Sequence, residues 1–198
     1  MDEQFPIVVL ACSAGGLDAV TRVLAPLPAD LPAALIVVQH LPPDVPSVLP
    51  RILADRTALQ VAPAVDGARL RPGQVLVVPP GQHLVATTDG TVAAILADGV
   101  PPYRPSADLL LATLAVVAGT RVVAVVLSGR GNDAATGATA VRRFGGTVIA
   151  ADPATATVPA MPEATIDRDD IIDAVVDVDD DIAAFLVALA ATPLPHHG

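Results

Sequence analysis

Five short, unbroken runs of aliphatic and β-branched residues recur along the chain: FPIVVLAC (5–12), AALIVVQ (33–39), VLVVP (75–79), RVVAVVLSG (121–129) and GTVIAAD (146–152). A strand with one wet face alternates apolar and polar residues; runs that are apolar throughout belong to strands covered on both faces, as in parallel sheets. Between them lie LDAVTRVLAPL (17–27), SADLLLATLAVVAG (106–119) and DAATGATAVRRFG (133–145), with apolar residues at helical spacing. Strand alternating with helix predicts an α/β fold: a doubly wound, mostly parallel sheet flanked by helices, with right-handed crossovers. HLVATTDGTVAAILAD (83–98) differs, because two β-prone runs surround Asp-Gly. That pattern predicts an antiparallel β-hairpin with a type I′ turn, placed at the sheet edge. DIAAFLVALAA (181–191) reads as a C-terminal helix, so residues 1–190 make one domain and 191–198 a disordered tail.

Composition narrows the function classes. At 198 residues and 53% hydrophobic, the chain can bury one large core. No apolar stretch reaches the roughly 18 residues that span a bilayer, so no membrane insertion is expected. The N-terminus, MDEQFP, lacks the basic start of a secretory signal, and the single cysteine, Cys12, precludes an intrachain disulfide. Both point to the cytoplasm. The net charge is −10, and all 11 basic residues are arginine. With aromatics at 2%, the chain lacks both the basic patch and the stacking platforms of a nucleic-acid binder.

Three polar residues follow three different strand runs. Ser13 ends the first run in VVLACSAGG, His40 ends the second in VVQHLPP, and Asp133 follows the fourth in SGRGND. In a parallel sheet all strands end on one edge, where open α/β sheets bind ligands. A serine hydroxyl needs a neighbouring base to become a nucleophile, imidazole can supply it, and a carboxylate on the far ring nitrogen fixes the tautomer. Gly15 and Gly16 let a carbonyl approach the backbone and open a helix, so the N–H of Ala14 or Gly15 is the candidate oxyanion donor. Each residue also has a plain structural role. Ser13 can cap the helix after it, His40 can be a loop histidine, and Asp133 can cap its own helix. Sequence alone leaves strand order, and so this choice, open.

The ordered set Ser13-Ala14-Gly15-Gly16, Gln39-His40-Leu41-Pro42, Pro79-Pro80-Gly81-Gln82-His83, Pro105-Ser106-Ala107-Asp108 and Ser128-Gly129-Arg130-Gly131-Asn132-Asp133 resembles the catalytic domain of CheB, the chemoreceptor glutamate methylesterase. Asp152-Pro153 and Met161-Pro162 extend the likeness, which runs from about residue 6 to 190. The resemblance implies hydrolysis of methyl esters on receptor glutamates, releasing methanol, with deamidation of receptor glutamines as a related reaction. It places the catalytic Ser-His-Asp set on Ser13, His40 and Asp133. It implies no metal or organic cofactor, and the cytoplasmic domain of a methylated chemoreceptor as partner.

The chain departs from the family pattern at Ala14, where threonine is usual, at Arg130, where methionine is usual, and at Ala134, where glycine is usual. Arg130 is a candidate substrate-contacting residue. Family members typically carry a receiver domain ahead of the hydrolase. This chain starts almost at the first strand and has no lysine, so it is expected to lack that domain. His83 is expected to stabilise a loop, and Cys12 to be buried beside Ser13. His196 and His197 are expected to be solvated, as is the acidic run 167–181 beside a last short strand. Two other functions fit the same residues: a serine esterase or amidase with another substrate, and a receptor-binding module without turnover.

Overall fold

A computed structural model of the chain describes residues 5–97, 103–168, 170–178 and 181–192. Four of the five apolar runs form the centre of a seven-stranded sheet. They are β1 (Ile7–Cys12), β2 (Ala34–Gln39), β8 (Val122–Val126) and β9 (Thr147–Ala151); the fifth is β5 (Gln74–Val77). With β3 (Gln60–Pro63) and β10 (Ala174–Val176), the sheet order is β10-β9-β8-β1-β2-β5-β3, and every pairing is parallel. All six residues of β1 and of β2 are buried, as the absence of alternation predicts.

Two apolar layers sandwich the sheet. Alternate β1 residues Val8, Leu10 and Cys12 face α1 (Gly16–Leu24), α2 (Leu49–Ala54) and α6 (Asp181–Ala191). Ile7, Val9 and Ala11 face α3 (Ala107–Ala118), α4 (Ala135–Arg143) and α5 (Ala160–Ile166). The period of two along β1 thus sends successive side chains to opposite cores.

The hairpin forms from β6 (Gln82–Ala86) and β7 (Thr91–Leu96), but two details differ from expectation. It joins β4 (Ala68–Arg69) in a separate three-stranded antiparallel sheet, rather than lying on the edge of the main one. Its buried Leu84 and Val92 pack on the α3 core, which holds the ribbon against that face. The turn is also not type I′. Only Gly90 has positive φ, at 82°, while a type I′ turn needs two such residues. The Gly90 N–H donates to Thr87 O, and the Thr87 N–H donates to Thr91 O, giving a three-residue loop with glycine in the left-handed position. The Asp89 carboxylate braces this loop by accepting from the Thr91 N–H and from both threonine hydroxyls.

Chain direction reverses around β1: β2 lies on one side and β8 on the other. Such a switch leaves a crevice beyond the strand ends, and the loops after β1, β2 and β8 border it.

Candidate active site

Ser13 sits one residue past β1. Its N–H donates to Ser128 O, which continues the β1–β8 pairing by one rung. The chain then turns sharply. Gly15 takes φ 77°, and a Cβ there would fall 2.6 Å from Ser128 Oγ. Gly16 packs on β1 and β2 so closely that a Cβ would meet Gln39 Oε1 at 2.4 Å. These glycines are therefore needed for the turn and the close approach. Gln39 braces it further, because its Nε2 donates to Ser13 O at 2.7 Å. Ser13 Oγ makes no hydrogen bond among the described residues, and it is not the side-chain cap of α1. The N–H groups of Ala14 and Gly15 likewise have no acceptor among the described residues, so both remain available at the start of α1.

Cys12 points the other way. It is fully buried, its thiol donates to Gln39 Oε1, and burial pushes its pKa far up. The thiol stays protonated and inaccessible, whereas Ser13 reaches the cleft.

His40 follows β2 on the rung beside Cys12, and its N–H donates to Cys12 O at 3.1 Å. Its Nε2–H donates to Asp133 Oδ2 at 2.8 Å. A ring with a proton on Nε2 carries its lone pair on Nδ1. Nδ1 is thus the basic atom of the neutral ring.

Asp133 is 1% exposed and fully engaged. Besides His40, it accepts from the Ala107 N–H at 2.7 Å, the Asp108 N–H at 3.0 Å and the Ser106 hydroxyl at 3.1 Å. It therefore sits on the N-terminus of α3, not on that of its own helix α4, whose N-cap is Ala134. Burial pushes its carboxyl upward, but the His40 N–H and the helix N–H groups outweigh that and hold it below the ordinary value, so it stays ionised. Ser106 is itself the N-cap of α3, accepting from the Leu109 N–H. The Ser106 N–H donates to His83 Nδ1 at 3.0 Å. His83 thus anchors the helix end that holds Asp133, which gives its expected structural role a location.

Ala134 adopts φ 83°, where glycine is at ease and an L side chain is strained. The strain follows from the glycine-to-alanine departure in this loop. Arg130 is exposed on the cleft rim and Arg104 half-buried beside it. Neither has a carboxylate partner among the described residues. Ser13, His40, Leu41, Pro42, Pro43 and Tyr103 complete an open cleft of about 350 Å³. Among the described residues no carboxylate lines it. His196 and His197 lie outside the described residues. Of the acidic run, Asp173 accepts from Arg142 and from the Val148 N–H, a structural duty beside β10.

The chain from residue 8 to 186 matches the family model described as CheB methylesterase. It belongs to the CheB methylesterase family. The Thermotoga maritima CheB methylesterase catalytic domain superposes with a TM-score of 0.86 at 34% identity, over 93% of this chain and 98% of that one. Protein-glutamate methylesterase/protein-glutamine glutaminase from Moorella thermoacetica is 38% identical over 187 residues, 92% of this chain and 44% of its own length. The Symbiobacterium thermophilum protein of the same name is 37% identical over 161 residues, 81% of this chain and 44% of its own. The chain thus spans about half the length of the curated relatives it matches.

On this CheB-type fold, Ser13 and His40 come to one cleft, and Asp133 lies buried behind it. Ser13 and His40 line it together, and His40 and Asp133 are bonded. Tyr103, Ser106 and Arg104 follow no strand run and so were not legible as site residues. Ser106 had a signal, a serine opening a helix, whose partner lies 27 residues on. Tyr103 had none, because its contact depends on how two loops meet.

Proposed function

We propose that this chain is a serine hydrolase that removes methyl esters from glutamate side chains of chemoreceptor cytoplasmic domains, releasing methanol, and so works in the cytoplasm. The observation that carries the reading is the His40–Asp133 hydrogen bond of 2.8 Å opening onto the cleft that holds Ser13. Membership of the CheB family supplies the substrate class.

Ser13 Oγ attacks the ester carbonyl as His40 Nδ1 takes its proton. The carbonyl becomes an oxyanion facing the free N–H groups of Ala14 and Gly15, each such donor being worth about 3–4 kcal/mol in the transition state. Asp133 stabilises the imidazolium through Nε2–H. The tetrahedral intermediate collapses, the carbonyl re-forms, and the methoxy oxygen leaves with the proton from His40. Water then attacks the acyl-serine, His40 again taking and returning the proton, and glutamate is released. The same sequence on a glutamine amide releases ammonia. An apo serine without a hydrogen bond to the base is compatible with this path, since such contacts tighten when substrate binds.

Arg130 favours a second reading, an esterase or amidase for another substrate, because it places an exposed cation where the family usually has methionine. Comparing kcat/KM on methyl-esterified receptor fragments and on a simple methyl ester separates the two. The methylesterase reading requires a clear preference for the receptor fragment, and equal values contradict it. Labelling of Ser13 by a fluorophosphonate tests turnover chemistry against a module that only binds, which would remain unlabelled.

A further inference from the structure

Tyr103 belongs to the loop before α3, yet its ring lies on His40. The ring centroids are 5.2 Å apart and the planes 20° from parallel. The phenol hydroxyl donates to Asn132 Oδ1 at 3.1 Å and accepts from the Asn132 N–H at 3.4 Å. The residue therefore bridges the histidine loop and the loop that ends in Asp133. Two features make the bridge close. Leu41 N–H donates to Arg104 O at 3.2 Å, which ties the Tyr103 segment to the residue after His40. Gly131 adopts φ 85°, and a Cβ there would lie 2.3 Å from the Tyr103 hydroxyl. Only glycine admits the phenol at that position.

We infer that Tyr103 is a positioning residue for His40, holding the imidazole plane so that Nε2 meets Asp133 while Nδ1 faces Ser13. The reason is geometric. Rotation about the terminal torsion of histidine is soft, with broad, roughly two-fold minima. One hydrogen bond to Asp133 fixes one ring atom but leaves the plane free to tilt about it. A flat ring stacked on the imidazole removes that freedom, and the Asn132 bonds keep the tyrosine from swinging away. Tyr103 acts through His40 and takes no proton in the reaction. The inference rests on the serine-hydrolase reading above.

The test compares wild type, Tyr103→Leu, Tyr103→Phe and Ser13→Ala. Leucine fills much of the volume without a flat face, and phenylalanine restores the face without the hydroxyl. The readouts are the second-order rate of Ser13 labelling by a small fluorophosphonate, kcat and KM on a methyl-esterified glutamate peptide, and the melting temperature. Tyr103→Leu is expected to lower both labelling rate and kcat by about tenfold to a hundredfold, the scale of a misplaced catalytic group, with KM changed less than about threefold. Tyr103→Phe is expected to recover most of that loss. Wild-type labelling by the leucine variant, equal losses in leucine and phenylalanine, or a raised KM at unchanged kcat each overturns the positioning role. Where Tyr103→Leu fails to melt cooperatively, Tyr103→Met takes its place under the same readouts, with the same outcomes supporting or overturning the role. Labelling of Ser13→Ala at the wild-type rate defeats the hydrolase reading instead, so the two failures are distinct.

Discussion

At the scale of single residues, the site depends on where protons sit. Asp133 is ionised inside a nearly closed environment because the α3 N-terminus and His40 donate to it from several sides. Replacing it by asparagine keeps the shape but puts an amide where the carboxylate stood. The imidazolium loses its counter-charge and the Nε2–H tautomer loses its preference, so Asp133→Asn is expected to lower kcat about 10³–10⁴-fold with little change in KM. The same carboxylate makes acid stability a readout. Its folded value lies below the ordinary 3.8, so its contribution is present above that pH and is lost as pH falls through the folded value. Urea unfolding of wild type should weaken more steeply below about pH 4 than that of Asp133→Asn, and equal slopes would contradict the assignment.

Among the elements, α3 does more than fill the core. Its first turn holds the Asp133 carboxylate, its N-cap Ser106 binds both the helix and Asp133, and His83 on β6 holds the Ser106 N–H. The hairpin therefore connects to the loops around the candidate site through one imidazole nitrogen. That nitrogen must be unprotonated to accept. Burial lowers the His83 pKa, Arg104 adds to the lowering, and Asp133 opposes it. The neutral form thus belongs to the folded state, and its contribution is present above about pH 6.5 and lost as pH falls through the folded value. Wild-type stability between pH 7 and about pH 5 should decline, and His83→Asn, which offers an oxygen acceptor but does not titrate, should flatten that slope. An unchanged slope in a folded His83→Asn protein would remove His83 from this connection. The elements also mark what sequence could convey. β1, β2, β8 and β9 were legible because burial on both faces leaves no polar residue to interrupt them. β3 was not, since Gln60–Pro63 is half exposed and ends in proline. α2 is six residues long, too short for a period to register, and Pro162 in Ala160–Ile166 reads as a breaker although it sits in the first turn of α5.

For the whole molecule, the central fact is that β1 lies between β2 and β8, so loops far apart along the chain meet beyond one strand end. Ile7 pairs with Ala34 on one side and Val122 on the other. Ser13, His40 and Asp133 were each legible as residues after strands, but their convergence was not, because neighbour relations in a parallel sheet leave no mark in the local pattern. The same centrality predicts an uneven stability map. Leu10→Ala, at 0% exposure in β1, should cost about 2–5 kcal/mol in urea unfolding, whereas Val175→Ala on the edge strand β10, at 48% exposure, should cost less than about 1 kcal/mol. A comparable cost at both positions would mean that β1 is not the core of the sheet. The most direct measurement is methanol release from methyl-esterified receptor fragments by wild type and by Ser13→Ala at matched concentration and matched folding. The account predicts turnover by wild type and a loss of at least about 10³-fold in Ser13→Ala with an unchanged melting temperature; methanol released by Ser13→Ala at the wild-type rate would contradict it.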